Sequence, residues 1–299
     1  YFRQDQPQVD RLEFQLVDGR PEAIERLKRG EVDLVSGLYE EDVAKSALDA
    51  QQVVQGKTPS VWFLGFNVQH APYDDVRVRQ AIRSGLDIQA LVEQFHPGAR
   101  AAKQLTPPSI LEMHEGTLVP RPDVTTSQRL LREANITKLR LTLYYPPGRS
   151  TEPEDSVLFR PLIEAGLIEL NHVPVDDEDF WRRQREGRVP SFRAGWIADY
   201  PDADNFLHFL LNSKAQTVYG LGYVNQELDR LTEEARVSID PDLRTQLYRK
   251  AEKLLQRDCP LIPLYHERSY AAASPGVQGM RLQQTLPQVR FEQLWLDRE

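Results

Sequence analysis

Residues 192–206 of the 299-residue chain read Phe192-Arg193-Ala194-Gly195-Trp196-Ile197-Ala198-Asp199-Tyr200-Pro201-Asp202-Ala203-Asp204-Asn205-Phe206. The apolar first half predicts a strand over residues 192–197, and the acidic, proline-containing second half predicts a turn. Asp202 or Asp204 is the expected N-cap of a helix that begins near Asn205, because a carboxylate accepts hydrogen bonds from the free amides of a first helical turn. The stretch therefore predicts a strand followed directly by a helix, as in an α/β fold.

Strand and helix patterns alternate through the rest of the chain as well. Strict apolar alternation predicts a strand over residues 139–145, and a continuous apolar run over residues 61–68 predicts a strand buried on both faces. A further strand is predicted over residues 9–15. Residues 104–123 contain four prolines and predict a long surface connection. Helices are predicted at residues 76–82, 88–95, 227–237 after an Asn225 cap, and from Asp240-Pro241 onward.

Composition excludes several classes of protein and site. Lys and Arg number 37 against 45 Asp and Glu, for a net charge of -8, and no basic block occurs, which disfavours nucleic-acid binding. The one cysteine, Cys259, excludes an intrachain disulfide and a cysteine-cluster metal site. No apolar stretch reaches the roughly 18 residues of a transmembrane helix, so we expect no span. The histidines lack the spacing of metal ligands, the glycines do not form a dinucleotide-binding loop, and no nucleophile motif occurs. We therefore expect no metal site, no cofactor and no enzymatic activity.

Three residues of the opening stretch suit a zwitterionic ligand. Asp199 follows the predicted strand at its carboxyl end, where ligands bind in open α/β sheets. Asp199 suits an ammonium group, Arg193 a carboxylate, and the indole of Trp196 suits apolar packing. A structural Arg193–Asp199 salt bridge is the alternative. A hydrolase that uses Asp199 with Asp202 or Asp204 has little support, because neighbours on one turn do not set the separation that acid/base chemistry needs.

Six stretches together carry a resemblance to a known family. They are residues 27–34, residues 64–69 (Leu64-Gly65-Phe66-Asn67-Val68-Gln69), residues 76–82, residues 193–206, residues 225–229 and residues 251–265. In this order they resemble the family 5 extracellular solute-binding proteins, the dipeptide-, oligopeptide- and nickel-binding receptors of bacterial ABC importers. The resemblance implies an α/β, two-lobe, periplasmic-binding-protein-like fold (Venus-flytrap, type II, cluster C). It implies part of lobe I at residues 1–69, lobe II at 70–266 and a lobe I return segment at 267–299, with the N-terminal part of lobe I absent.

The same resemblance implies a function and site residues. It implies a non-enzymatic, monomeric receptor, most of all for peptides, that delivers its ligand to an ABC transporter permease from the periplasm or as a cell-surface lipoprotein. In peptide-binding members the Asp of the Trp-x-Ala-Asp-Tyr phrase pairs with the peptide ammonium, which matches Asp199. Arg193 then matches the residue that meets the peptide carboxylate, Trp196 lines the pocket, and Tyr200 joins these ligand-binding residues. The alternatives are a sensor domain fused to a transcriptional regulator, which would be cytoplasmic, and a receptor for a nickel chelate or a sugar.

Overall fold

The computed structural model describes residues 8–49, 52–113, 121–146, 150–215, 218–284 and 288–297. The chain divides into two compact units. Unit 1 comprises Tyr1–Pro59, His96–Arg100 and Glu267–Glu299, and unit 2 comprises Ser60–Phe95 and Ala101–His266. The lobe boundaries implied by the resemblance stay a prediction. Among the helices of the described ranges, none combines the length and apolarity that crossing a membrane requires.

Helices and strands alternate along the chain, as the sequence predicts. The helices are α1 (Arg20–Lys28), α2 (Glu40–Ser46), α3 (Val76–Gly85), α4 (Ile88–Phe95), α5 (Val124–Glu133), α6 (Glu152–Leu158), α7 (Arg160–Glu164), α8 (Asp177–Arg185), α9 (Asp204–Leu211), α10 (Gln226–Val237) and α11 (Pro241–Asp258). The strands are β1 (Leu34–Leu38), β2 (Val53–Lys57), β3 (Ser60–Phe66), β4 (Arg100–Ala101), β5 (Leu139–Tyr145), β6 (Ile168–Pro174), β7 (Ser191–Ile197), β8 (Leu261–His266), β9 (Arg268–Ala273), β10 (Val277–Gln278) and β11 (Trp295–Leu296). A short 3-10 helix spans Phe291–Gln293.

The larger sheet is mixed and has the strand order β4-β8-β3-β7-β5-β6. β3 pairs antiparallel with both β7 and β8, whereas β5 pairs parallel with β6 and β7. Six of the seven residues of β3 are buried. This confirms that the continuous apolar run forms a strand covered on both faces.

The core of unit 2 lies between this sheet and the helices α9 to α11. Phe63 of β3, Phe192 of β7, Phe206 of α9, Leu231 of α10 and Leu255 of α11 are all at most 1% exposed and belong to one cluster. Full burial of such a side chain stabilises the fold by about 1.5–3 kcal/mol. This packing anchors the two elements, β7 and α9, that flank the acidic turn.

Side-chain caps fix where the last two helices begin, as predicted. Oδ1 of Asn225 accepts hydrogen bonds from the amides of Glu227 and Leu228. Oδ1 of Asp240 likewise accepts from the amides of Asp242 and Leu243, at 2.9 and 3.2 Å, and Pro241 needs no donor partner at that position.

Unit 1 contains a three-stranded antiparallel sheet of order β1-β9-β2. The predicted strand at residues 9–15 is wrong, because no strand pairs with these residues in the described part of the chain. They line a cavity of about 800 Å³ instead, and the side chain of Phe14 is 75% exposed. An alternating pattern forms a strand only where a neighbour supplies backbone hydrogen bonds.

The predicted surface connection is also partly wrong. Gln104, Leu105 and Thr106 are buried. Two hydrogen bonds connect their loop to α11. The side chain of the fully buried Glu252 accepts them from the amides of Leu105 at 3.1 Å and Thr106 at 2.7 Å. Residues 114–120 lie outside the described residues.

Candidate functional site

The candidate site begins where β7 ends, with the indole of Trp196. This half-buried ring stacks on Phe209 of α9, with centroids 5.1 Å apart, and meets the ring of Tyr219 edge-on at 6.3 Å. The hydroxyl of Tyr219 donates to the carbonyl oxygen of Gly195 at 2.7 Å. The indole is therefore a rigid apolar wall built on the core of unit 2.

A buried amide joins this wall to the following loop. Asn205, the second residue of α9, is 1% exposed. Its Oδ1 accepts a hydrogen bond from Nε1 of Trp196 at 2.9 Å and another from the backbone N–H of Asp199 at 3.1 Å. Sequence reasoning missed this role, and the available signal was a polar residue in the first turn of a mostly apolar helix, because such a residue needs hydrogen-bond partners when it is buried.

Asp199 contributes an exposed carboxylate to the site. Two residues beyond β7, Asp199 has an exposed side chain, and within the described ranges this carboxylate makes no hydrogen bond or ion pair. An exposed carboxylate beside a half-buried indole can bind an ammonium group without first losing another partner. Its position at the carboxyl end of β7 follows from the predicted strand and turn.

Tyr200 lies next to this carboxylate and is 41% exposed. Its hydroxyl donates to Oδ2 of Asp204 at 2.6 Å. Partial burial and the hydrogen bond to Asp204 raise the pKa of Tyr200 above its ordinary value. The phenol is therefore held at the edge of the site in its neutral form.

The other two acids of the turn have structural partners. Helix α9 begins at Asp204, next to the predicted Asn205, but its N-cap is Ala203, so the predicted N-cap at Asp202 or Asp204 is wrong. Oδ1 of Asp202 accepts instead from the amide of Asp204, the first residue of α9, at 2.9 Å. Oδ2 of Asp202 accepts from Arg244 at 2.6 Å. These contacts give no support to a hydrolase. No group of three or more metal-ligating side chains occurs in the part of the chain that the structure describes.

Arg193 is engaged elsewhere in unit 2. Its side chain is 5% exposed, and Nη1 lies 2.7 Å from the carboxylate of Glu154 and 3.0 Å from that of Asp155, both in α6. Burial lowers the pKa of Arg193, but the two carboxylates outweigh burial and raise it overall. The alternative Arg193–Asp199 salt bridge is not formed, and ligand binding by Arg193 stays a prediction.

Comparison with known families decides the membership of the chain. Residues 1–217 match the family model described as bacterial extracellular solute-binding proteins, family 5 Middle. The chain belongs to this family. The family resemblance of the sequence is thereby confirmed.

Curated relatives of the family 5 chain are named for two kinds of solute. It is 29% identical over 279 residues to heme-binding protein A of Haemophilus influenzae, covering 91% of this chain and 51% of the relative. It is 28% identical over 285 residues to probable di/tripeptide-binding protein 5 of Pseudomonas aeruginosa, covering 92% and 54%. The chain spans about half the length of the curated relatives it matches.

Solved structures show the same fold. HbpA2 from Haemophilus parasuis superposes with a TM-score of 0.84 at 22% identity, over 98% of this family 5 chain and 59% of the other. A dipeptide-binding protein from Pseudoalteromonas in complex with Met-Leu superposes with a TM-score of 0.77 at 23% identity, over 94% and 57%. The predicted α/β solute-binding fold is confirmed.

Proposed function

We propose that this chain is the part of a peptide-binding receptor that carries the ammonium site, with Asp199 as the anion. The observation that carries the proposal is the exposed Asp199 carboxylate, which has no partner among the described residues and follows the half-buried Trp196 at the end of β7. A charge-assisted hydrogen bond from an ammonium group to such a carboxylate is roughly twice as strong as a neutral one.

The relatives support peptides as the solute class. Several are named for peptides, including dipeptide-binding proteins of Pseudomonas aeruginosa and Escherichia coli. A peptide supplies an N-terminal ammonium for Asp199 and a side chain for the indole of Trp196. The phenol of Tyr200 lies next to Asp199 at the edge of this site.

Arg193 is left out of the proposed ammonium site. Its guanidinium already balances Glu154 and Asp155, and releasing it to a ligand carboxylate would leave the fully buried Asp155 and the partly buried Glu154 without their guanidinium. We infer that the ligand carboxylate, where one is present, is met by other parts of the receptor.

The proposed function includes a cellular location and a protein partner. A receptor of this family would act in the periplasm or at the cell surface and deliver the peptide to the permease of an ABC importer. Ligand would favour the closed form of the receptor as a shift in population.

The test is calorimetric titration of the full-length protein with a mixed library of di- to pentapeptides. We expect saturable binding that Asp199→Asn weakens by about 2 kcal/mol or more, roughly 30-fold, because an ion pair excluded from water is lost. Glu164→Gln is the matched control, since it removes one exposed negative charge from α7 in the same unit. Equal affinity of the wild type and Asp199→Asn would refute the ammonium site.

Heme is the second candidate solute. The observation in its favour is the 29% identity to a protein named heme-binding protein A. Titration of the same protein with heme, followed by the Soret absorbance band, separates the two candidates. Saturable heme binding together with no peptide binding would replace the peptide proposal.

A further inference from the structure

One buried side chain, that of Asn205, hydrogen bonds both Trp196 and Asp199 at the proposed ammonium site. Resting on the proposed function, we propose that Asn205 is a positioning residue: its amide oxygen fixes the Asp199 backbone and the Trp196 indole in one arrangement. Asn205 does not contact the ligand itself. It determines where the Asp199 carboxylate lies relative to the apolar wall.

The hydrogen bonds of the Asn205 side chain converge on its amide oxygen. Oδ1 has two lone pairs and accepts two N–H groups, from Trp196 at 2.9 Å and from the backbone of Asp199 at 3.1 Å. The end of β7 and the turn that follows are thus joined through one amide oxygen.

The helix that carries Asn205 is held rigidly, so the side chain of Asn205 has a fixed position. The following residues Phe206 and Leu207 are fully buried, and Leu210 is 2% exposed, so α9 is held by the core of unit 2. The Asp199 side chain, in contrast, makes no hydrogen bond or ion pair with any residue of the described ranges. The backbone bond to Asn205 therefore adds a fixed contact between Asp199 and the rigid part of the unit.

A second buried asparagine at the end of the same helix allows the positioning role of Asn205 to be distinguished from a purely structural role. Asn212 is fully buried, donates to the Asp229 carbonyl oxygen and to Thr232 Oγ1, and accepts from the Lys214 amide at 3.0 Å. It touches none of the residues of the proposed site. Asn212→Leu is thus a matched control that removes a comparable set of buried hydrogen bonds.

The experiment compares Asn205→Leu, Asn205→Asp and Asn212→Leu in the full-length protein, with the mixed di- to pentapeptide library as the probe. We expect Asn205→Leu to lower peptide affinity at least about tenfold, and Asn212→Leu less than about threefold, at similar losses in melting temperature. Asn205→Asp is expected to recover most of the affinity, since a carboxylate accepts the same two N–H groups. Equal affinities of the two leucine variants would overturn the inference.

A second measurement needs no peptide and separates the two proposals. The indole N–H resonance of Trp196, assigned by its loss in Trp196→Phe, is expected to resist solvent exchange in the wild type, Asn205→Asp and Asn212→Leu. It is expected to exchange fast in Asn205→Leu. Absence of peptide binding by the wild type would refute the proposed function, whereas an indole resonance unchanged in Asn205→Leu would refute the positioning role of Asn205.

Discussion

Nη1 of Arg193 lies 3.0 Å from Oδ1 of Asp155, in an ion pair whose side chains are 5% and 0% exposed. Nε2 of His172 lies 2.9 Å from the other carboxylate oxygen, Oδ2. Arg193 also meets Glu154 at 2.7 Å. The cluster links β7 to α6 through charges that are stable in the interior only while they are paired, and it links α6 to β6 through the imidazole of His172.

Breaking this pair is expected to destabilise the fold strongly. Arg193→Met leaves the fully buried Asp155 carboxylate and Glu154 without their guanidinium, which costs roughly 3–5 kcal/mol in the free energy of unfolding. Denaturant titration measures that change. Arg140→Met on the neighbouring strand β5 is the control, because its ion pair with Glu169 is 3.8 Å long and exposed, and such pairs contribute about 0–1 kcal/mol. Equal losses in both variants would contradict the importance of burial.

The ammonium site predicts a coupling between the peptide N-terminus and Asp199. N-acetylation removes the ligand charge, so we expect it to weaken binding to the wild type by about 2 kcal/mol or more. In Asp199→Asn the anion is already gone, and acetylated and free peptides are expected to bind equally. The four calorimetric affinities form a thermodynamic cycle, and a coupling near zero would place the ammonium elsewhere.

Local signals in the sequence were enough for most of the fold. Asp240 and Asn225 cap the helices that their types and positions predict, and the apolar run of β3 is buried as its continuity predicts. Such features depend on neighbours a few residues away. The strand predicted at residues 9–15 failed because pairing depends on a partner strand that no local pattern reveals.

In the candidate site, too, local features were predictable and long-range contacts were not. Asp199 and Trp196 lie where a strand and its exit turn place them. The partners of Arg193 come from α6, 38 residues earlier in the chain for Asp155, and nothing in the alternation of β7 identifies them. Asn205 was assigned to a helix start, although its amide faces back to β7 and the turn. Long-range hydrogen bonds of buried polar groups therefore limited the prediction.

Glu252 is expected to make stability depend on pH. Complete burial raises the pKa of this carboxyl above 4.5, although hydrogen bonds from Thr106 and Leu105 oppose the shift. Below pH 4.5 the group is protonated in the folded and unfolded states, so its protonated form carries no penalty there. As pH rises through the folded pKa, the unfolded state releases its proton more easily, and the wild type is expected to lose stability relative to Glu252→Gln.

Melting temperatures from acid to neutral pH check this expectation. Glu164→Gln, at an exposed position of α7, is the control for removing a carboxylate at the surface. A difference between the wild type and Glu252→Gln that stays constant with pH would show that the buried carboxyl titrates normally.

Two glycines with positive φ allow two costs of adding a Cβ atom to be measured separately: the steric collision with neighbouring atoms and the strain of the left-handed backbone. Gly220 has φ +55°, and a Cβ there would collide with Gln184 O and lie 2.8 Å from Gly187 N, both backbone atoms. Gly166 has φ +68°, but nothing lies within 4 Å of its Cβ position. Gly166→Ala therefore measures the left-handed conformation alone, about 1–2 kcal/mol.

Gly220→Ala adds to this strain the displacement of packed backbone, roughly 1–3 kcal/mol more. The carbonyl oxygen of Gly220 accepts a hydrogen bond from Asn67 Nδ2 at 2.9 Å, and Asn67 also donates to the Gly187 carbonyl oxygen, so neither segment can move without breaking this link. Urea titration of both variants is expected to show the larger loss for Gly220→Ala. If the two alanine variants lost equal stability, the approach of Gly220 to the segment after α8 would have no steric consequence.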